Sequence, residues 1–503
     1  MRIRYFYILG LIILCLPAVS VHAQEFSTFF DYPGKEKLNQ YFYGKNPAFL
    51  QFGQEEELLG LRSGIKHFNG SFKRFIDPGE ENLYTLSASG QKSIDENQFF
   101  KGSFNLIRLE RLNWDWIFTR EYDKNIFLIG DSTSGRSRFT GILLNSEYSI
   151  KIMDDFLFGA DINYLVDEGL KEVSPRPVSE HRYIDFSLGL GYTGFGDITL
   201  GIKGDVNDKM EKVVYQEDQG ALTKETIILK FRGYDYPNVF RKKSEVRYSY
   251  GNSYSGQFDF AYNNNGPLRI TGFAAAGIEN YLLKDDAINP ESDGFMLNSI
   301  ISAGIISNYQ VNSEFDIGFS FKTNSEELWG KSPKYNVLYY EENRISNNIN
   351  FAAGYNISPG TGITLEIGDV ITSGDVKDYY SEIEFSVKGN KYTGAVGLNQ
   401  ELFNNIKLGL AYQFSTNKIS DKPLKSGINS DYFLGNRIED IYFYQSDFSS
   451  QRIKFLIQIN SVLGGEIKAV FDYGIIKPDN AEYFKGMKKE DVNSFIEYRV
   501  KVF

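Results

Sequence analysis

Period-two alternation of apolar and polar residues limits the fold of this chain more than any other feature. Between positions 142 and 152, one parity carries Ile142 and Leu144 and the other carries Asn145 and Glu147. A strand with one apolar and one polar face has this period, whereas a helix has a period of about 3.6. Similar segments recur at 156–164, 183–192, 315–321, 349–357, 363–367, 406–414 and 467–473. The sequence therefore predicts an all-β fold.

A soluble β-sandwich also alternates, but three features favour a barrel in lipid. Alternating segments of about ten residues match a tilted membrane strand. The polar face is rich in Gly, Asn, Ser, Lys and Glu, as in a wet lumen. Aromatic residues near segment ends suit interfacial girdles, at Trp114, Trp116, Tyr339, Tyr340, Tyr379 and Tyr380. We predict a single transmembrane antiparallel β-barrel with an even strand number, roughly 18 within a range of about 14 to 22.

The first residues have the pattern of a secretory signal peptide. Arg2 and Arg4 precede an apolar stretch that ends at the small-x-small sequence Val21-His22-Ala23. The alternative is a single anchor helix, although the stretch is short for one. We expect residues 1–23 to be removed and the mature chain to begin near Gln24. No later segment stays apolar for the roughly 18 residues of a membrane helix, which excludes a helical membrane protein.

Cysteine content and charge exclude several classes of site. Cys15, the only cysteine, lies in the predicted signal, and Leu14 before it does not fit a lipoprotein signal. The mature chain then has neither a disulfide framework nor a thiolate metal site. Loss of Arg2 and Arg4 moves the net charge from −11 to −13, which argues against nucleic-acid binding.

The mature chain divides into a short N-terminal part and the barrel. Residues 24–59 alternate weakly and are expected to form a periplasmic or lumen-lodged segment, and residues 60–503 are expected to form the barrel. Tight connections are predicted at 153–155, 193–196 and 358–360, and long polar ones at 121–134, 167–181, 325–345, 417–432 and 476–492. The last strand ends in Phe503, and a terminal Phe is the usual signal for the barrel-assembly machinery. Phe503 falls on the polar parity of that strand.

Charged residues on the polar parity are candidates for the lumen wall. They could tune the selectivity of a pore, or they could pair and fill a closed barrel. The candidates are Glu147, Lys151, Asp185, Lys203, Glu366, Glu382, Glu384, Lys388, Lys407 and Asp472.

Two glycine-rich motifs resemble nucleotide sites in sequence only. The G-x-G-x-x-G sequence at Gly189–Gly194 spans a strand and a turn, whereas a dinucleotide site needs a following helix. The sequence at 130–137 approaches a phosphate-binding loop but has Arg136 where lysine is required. We interpret the first as lumen and turn positions and the second as a flexible outer loop, and we expect no cofactor.

Catalysis and metal binding have little support. The mature chain contains two histidines, His67 and His181, and neither has the local spacing of a barrel hydrolase. A histidine metal site is equally weakly indicated. We therefore expect that the protein is not an enzyme.

The aromatic-rich alternating strands and the element Ser174-Pro175-Arg176-Pro177 before a strand resemble uncharacterised outer-membrane β-barrel proteins of the Bacteroidota. This resemblance implies an outer-membrane barrel of unknown function and assigns no functional residues. Asn46-Pro47-Ala48 also resembles the long-chain fatty-acid transporter family.

These observations lead to a location and two functional hypotheses. We expect the protein in the outer membrane of a Gram-negative bacterium, in contact with outer-membrane lipid. The leading hypothesis is a passive or substrate-selective channel for small solutes. The alternative is a closed barrel that serves as a surface platform or partner for a lipoprotein or a secretion system.

Overall fold

The fold is described by a computed structural model. It describes residues 44–53, 58–216, 226–234, 237–242, 244–263, 266–286, 290–358, 360–402, 405–426, 437–462, 464–479 and 483–501. The predicted signal peptide, most of the segment 24–59, and Phe503 lie outside the described residues.

Eighteen long strands form one antiparallel sheet that closes on itself. They are β1 (Leu58–Gly70), β2 (Glu80–Asp95), β3 (Gln98–Leu112), β5 (Ser137–Met153), β6 (Phe156–Lys171), β7 (Val178–Phe195), β8 (Ile198–Gln216), β11 (Ser244–Asn263), β12 (Leu268–Asp285), β13 (Glu291–Gln310), β14 (Phe315–Ser332), β15 (Val337–Ser358), β16 (Thr361–Asp378), β17 (Ile383–Leu402), β18 (Ile406–Asp421), β20 (Phe448–Val462), β21 (Gly465–Pro478) and β22 (Lys489–Lys501). The shorter elements are a 3-10 helix (Pro47–Gly53), β4 (Ile129–Gly130), β9 (Thr226–Lys230), β10 (Asn238–Lys242), β19 (Leu424–Ser426) and α1 (Ile438–Tyr444).

Closure is made by the first and last strands of the sheet. Each barrel strand pairs with its neighbours in sequence, and β1 pairs with β22 in a register that places Leu61 opposite Tyr498. This arrangement confirms the predicted antiparallel barrel with an even number of strands near 18. Within the described residues, no helix is long and apolar enough to cross a membrane.

The strands are longer than the alternating segments from which they were predicted. They run from 13 residues in β1 to 22 residues in β15. Most of the predicted long connection at 325–345 is in fact strand, because β14 continues to Ser332 and β15 begins at Val337. The backbone ladder needs no apolar side chains, so the strands continue where the alternation becomes polar.

The two ends of the barrel differ. One end, the turn end, carries short connections such as 96–97, 154–155 and 196–197, together with the start of β1 and the end of β22. The opposite end, the loop end, carries the connections 71–79 and 113–136 and the described parts of three further connections, 226–234 with 237–242, 437–447 and 483–488. Short turns on one side and long loops on the other are typical of bacterial membrane barrels.

The outward parity of the strands is apolar over a broad band. Large exposed side chains on this face include Leu86, Phe104, Leu144, Phe186, Leu190, Ile202, Phe258, Ile317, Phe351, Leu365, Val396, Leu410, Ile453 and Phe471. A soluble monomer rarely exposes an apolar patch larger than a few hundred Å². The outer surface therefore requires an apolar environment.

Candidate functional site

The interior of the barrel is the candidate site, and its turn end holds part of the N-terminal chain. We call residues 44–53 the inner segment. The Nδ2 group of Asn46 donates to Asp259 Oδ2 at 2.9 Å and to the carbonyl of Ile202 at 3.1 Å. Ser149 Oγ donates to the Ala48 carbonyl at 3.0 Å. These bonds join the inner segment to the inward faces of β5, β8 and β11.

Glycines on the inward face of β6 to β8 make room for the inner segment. A Cβ atom on Gly191 or Gly201 would come within 2.5 Å of the Phe49 ring. One on Gly189 would collide with Asn46, and one on Gly159 with the backbone of Pro47. The first two glycines of the G-x-G-x-x-G sequence thus have a packing role against the inner segment.

The loop end is filled by a folded cap. We use this name for residues 71–79, 113–136, 226–234, 237–242 and 437–447, which include α1 and the small sheet of β4, β9 and β10. One buried cluster joins the cap to inward-facing residues of β3, β5 and β8. Its members are Ile76, Leu109, Trp114, Ile117, Phe118, Tyr122, Leu128, Ile129, Phe139, Val213, Tyr215, Ile228, Leu229 and Phe231.

A second buried cluster joins the cap to the opposite wall, formed by β12 to β17. Its members are Ile126, Phe127, Tyr234, Leu283, Met296, Leu328, Tyr340, Val376, Ile383, Phe385, Ile438 and Ile441. Phe127 belongs to this cluster and the next residue, Leu128, belongs to the first. The connection 113–136 therefore spans the mouth from wall to wall.

The cap corrects two expectations about the outer loops. Trp114 and Tyr340 were expected in interfacial girdles, but both are buried in the cap clusters. The sequence at 130–137 was expected to form a flexible loop, but Asp131 is buried and Gly130 packs against the backbone of Trp116. Both differences arise because the connection 113–136 folds back into the barrel mouth instead of extending away from it.

Buried ion pairs anchor the cap to the wall. Lys171 of β6 is fully buried, and its Nζ donates to both carboxylate oxygens of Asp131, at 2.8 and 3.0 Å, and to the carbonyl of Thr133 at 2.7 Å. Arg120 of the cap donates from Nε to Asp167 of β6 at 3.0 Å. Loss of one partner of such a pair leaves the other buried charge unpaired, at a cost of about 3–5 kcal/mol.

A larger network holds the β9 strand of the cap against β11, β12 and β13. Arg247 donates to the two carboxylate oxygens of Asp285 at 2.7 and 2.8 Å, and Lys230 of β9 bonds to the same carboxylate. Arg247 and Arg232 share Asp293, each at 2.5 Å. Asp293 lies where the register between β12 and β13 shifts, and a bulge of this kind re-aims a side chain.

Electrostatics inside the cap favour the charged forms of its ion pairs. Burial alone would raise the pKa of Asp77, but the adjacent Arg74 outweighs burial and holds that pKa below its usual value. Arg74 donates to Asp77 from Nη2 at 2.6 Å. Burial raises the pKa of Tyr234 well above its usual value, so this phenol stays neutral.

Between the inner segment and the cap, the lumen has a charged wall. On β3 to β8, Lys101 lies 3.4 Å from Glu147, and Lys203 lies 3.0 Å from Asp205. These four side chains all keep part of their surface exposed inside the barrel. The wall formed by β17 to β22 carries an apolar patch of Ala395, Ala411, Leu456, Val470 and Phe495.

Seven of the ten predicted lumen candidates lie on the inward parity. Asp472 accepts from Arg452 Nη1 at 2.9 Å, and Lys151 lies near the turn end, 3.7 Å from Asp154. The seven are Glu147, Lys151, Asp185, Lys203, Glu366, Lys407 and Asp472.

The other three candidates are placed elsewhere. Glu382 lies in the connection between β16 and β17 with a φ of 52°. Glu384 and Lys388 share the outward parity of Tyr392 on β17, while Ile383 and Phe385 face the cap. Polarity is inverted at this height, because the apolar cap lies inside the barrel and the outer face lies beyond the apolar band.

The two histidines lie in different environments. His67 of β1 lies on the outward parity with its Nδ1 2.6 Å from Asn82 Oδ1. His181 of β7 is buried beneath the cap, with Nδ1 3.7 Å from Asp167 Oδ2. Nearby, Ser179 Oγ donates to Glu211 Oε1 at 2.7 Å. This neighbourhood also contains Arg120 and therefore belongs to the anchoring of the cap.

Sequence reasoning missed the residues that close the barrel. Lys171, Asp131 and Arg247 were not singled out, because their partners are distant in the chain. A usable signal existed in the inward parity near the strand ends, where Leu109 and Phe139 are apolar although Asn105 and Asn145, deeper on the same strands, are polar.

The fold and its interior define a β-barrel whose loop end is filled by the cap and whose turn end holds the inner segment against the wall of β5 to β8 and β11. Residues 47–494 match a family described as a family of unknown function (DUF6850), and the chain belongs to this family. The predicted resemblance to an uncharacterised family is thereby confirmed, and its assignment to the Bacteroidota stays a prediction. No curated protein matches the chain significantly.

Solved structures with a similar fold have low sequence identity. The siderophore receptor PiuA from Acinetobacter baumannii is 7% identical, with 89% of this chain and 82% of that chain covered and a TM-score of 0.43. The ferric citrate transporter FecA in the unliganded form is 10% identical, with 87% and 78% covered and a TM-score of 0.42. The Pseudomonas putida toluene transporter TodX is 10% identical, with 93% and 94% covered and a TM-score of 0.32. At these values, the similarities assign no activity to this chain.

Proposed function

We propose that this protein is an outer-membrane barrel that passes small solutes selectively and is closed at rest. The apolar outward band supports placement in a lipid bilayer, with the turn end facing the periplasm. The predicted signal peptide supports export to the outer membrane of a Gram-negative bacterium. Assembly would use the last strand, β22.

One observation carries the proposal: a charged, partly exposed wall lies between the inner segment and the cap. Barrels of 16 to 18 strands are wide enough to hold an aqueous channel. The pairs Lys101–Glu147 and Lys203–Asp205 line such a space, whereas a barrel that served only as a support could be filled with apolar side chains. The mixed signs of these groups suit a polar solute. The proposal includes no catalytic step and no cofactor.

The closures favour substrate-selective passage over a passive pore. At the loop end, the aromatic clusters and buried ion pairs fill the mouth. At the turn end, the inner segment occupies the glycine-lined face. A solute therefore crosses only if the cap moves, which a permanently open porin does not require.

Currents across a planar bilayer test the proposal. The wild-type barrel should show no steady open current. A barrel with residues 116–130 replaced by a Gly-Ser linker and carrying Gly201→Val should show a steady current, because both closures are weakened. Gly204→Val is the matched control for Gly201→Val, since a Cβ there has no neighbour closer than 4.0 Å. All forms must first show the heat-modifiable mobility of a folded barrel on a gel.

Two results would overturn the selective channel. A steady wild-type current would indicate a passive pore. Absence of current from the doubly altered, folded barrel would favour the second candidate, a closed surface platform for a lipoprotein or a secretion system. That candidate is favoured by one observation, the buried anchoring of the cap by Lys171 and Arg247.

A further inference from the structure

An arginine cluster lies on the outside of the barrel at its loop end. We call Arg108, Arg136 and Arg138 the arginine patch. Arg108 and Arg138 lie on the outward parity of β3 and β5, and Arg136 immediately precedes β5. The side chains of Arg108, Arg136 and Arg138 are 46%, 37% and 36% exposed. None of the three faces the lumen.

The patch lies directly beyond the apolar band. On β3, the outward residues below Arg108 are Leu106 and Phe104, and both are exposed. The register places Arg108 opposite Thr140 and Phe104 opposite Leu144. Moving toward the loop end, the outer surface therefore changes from aliphatic and aromatic groups to guanidinium groups within a few residues. At this height, a barrel in a bilayer meets lipid headgroups.

Cations outnumber anions in the patch. Glu110 accepts from Arg108 Nε at 2.7 Å and from Arg136 Nη2 at 2.8 Å, and Arg138 Nε lies 3.9 Å away. Glu172 pairs with Arg138. Three guanidinium groups thus share two carboxylates, in a chain whose overall charge is negative. Other outward pairs near this height are one to one, as in Lys212–Glu180 and Arg182–Asp208.

Donors in the patch are also in excess. A guanidinium carries five N–H groups in a planar fork, which suits bidentate binding of phosphate. Among the described residues, the Nε atoms of Arg136 and Arg138 are buried and have no hydrogen-bond partner, while 37% and 36% of the two side chains stay exposed. A phosphate on the outside of the barrel could accept from the exposed parts of the three arginine side chains while the acyl chains below it covered Phe104 and Leu106.

We propose that the arginine patch binds the phosphate of an outer-leaflet glycolipid of the lipid A type. The inference rests on the proposed outer-membrane placement with the loop end outward, and it is independent of transport. The ligand joins a phosphate to acyl chains, which matches the order of the guanidinium groups and the apolar band. An anionic phospholipid has the same order of phosphate and acyl chains, but the outward placement of the loop end favours the glycolipid of the outer leaflet. Free phosphate has no acyl chains.

Binding is tested on the full chain refolded in detergent, with folding verified by heat-modifiable mobility. The test variant is Arg108→Gln/Arg138→Gln, and the matched control is Arg182→Gln/Lys212→Gln, which removes the same charge from one-to-one pairs. Native mass spectrometry measures binding of lipid A, of lipid A without phosphates and of dioleoylphosphatidylglycerol. We expect at least tenfold weaker lipid A binding by the test variant and unchanged binding by the control.

Several results would overturn the inference. They are equal lipid A binding by the wild type and the test variant, equal binding of lipid A with and without phosphates, and binding of phosphatidylglycerol as tight as that of lipid A. If the double variant does not fold, Arg136→Gln replaces it, because residue 136 lies outside the strands. Failure here leaves the bilayer currents unchanged, so it is distinguishable from failure of the channel proposal.

Discussion

Replacing Lys171 with methionine should open the cap without unfolding the barrel. The ammonium group of Lys171 is fully buried and holds both carboxylate oxygens of Asp131 and the carbonyl of Thr133. Methionine fills most of the same volume but leaves the Asp131 carboxylate with only local partners, among them the Thr133 amide at 2.9 Å. A buried charge left in this way costs about 3–5 kcal/mol.

This free-energy cost should appear as local opening of the cap, because the connection 113–136 can move away from the barrel wall and let water reach Asp131. At about 1.4 kcal/mol per factor of ten, the population of the open cap should rise by about two to three and a half orders of magnitude. Amide hydrogen exchange measures this population. The reporter amides are those of Phe118, which donates to Ile129 at 3.1 Å, and Trp116, which donates to Asp131 at 2.9 Å.

Lys334→Met is the matched control, because Lys334 pairs with Glu291 at 3.5 Å with both side chains largely exposed. Such a surface pair is worth at most about 1 kcal/mol, so exchange in the cap should not change. Asp131→Leu added to Lys171→Met should restore much of the protection, because no unpaired charge then remains. Unchanged exchange at Phe118 in folded Lys171→Met would refute the anchoring role of this pair.

Three further predictions concern the lipid face, the inner segment and the cap at low pH. Leu410→Arg should impair assembly into vesicles, by about 2–4 kcal/mol for an arginine facing mid-membrane lipid, whereas Lys407→Ala on the other parity should assemble normally. Equal yields would contradict the assigned parity. Phe49→Ala should loosen the inner segment, raising trypsin cleavage near Lys45, while the strands stay protected; unchanged cleavage would argue against the packing role of Phe49. The depressed pKa of Asp77 adds stability above the ordinary value of about 3.9 and loses it as pH falls through the folded-state pKa. The contribution of Asp77 to cap protection should thus be constant from neutral pH to about pH 4 and fall below it, and Asp77→Asn should remove that part of the acid fall; an identical acid profile in the variant would exclude Asp77 as its source.

The barrel could be predicted because alternation is a local signal. Around Asn145 and Glu147, each residue reports its own face, and the repetition of such segments is sufficient for the fold class. The predicted strand number of roughly 18 is confirmed, although the alternating segments identified in the sequence correspond to only eight of the strands. Strand length was underestimated, since a ladder that leaves the membrane no longer needs an apolar face, as in β15 beyond Ile345 toward the loop end.

The closures could not be predicted in the same way, because they depend on contacts between distant residues. Asp131 and Lys171 are 40 residues apart, and Asn46 and Asp259 are 213 residues apart. Neither pair has a local pattern that separates it from solvated charges. The glycines opposite Phe49 were recognisable as a motif, but only the packed inner segment shows why side chains are absent at Gly191 and Gly201.

The face of a strand that carries the polar residues changes with height in this barrel. On β17, the inward parity carries Ile383 and Phe385 at the cap, and Lys391 and Thr393 deeper in the barrel, while the outward parity changes from Glu384 to Val396. A prediction that assigns each parity of a strand to the lumen or to the lipid along its whole length therefore misplaces charged residues near the loop end. The same inversion connects the two proposals: an apolar interior at this height seals the mouth, and a charged exterior at this height, on β3 and β5, presents the arginine patch to headgroups.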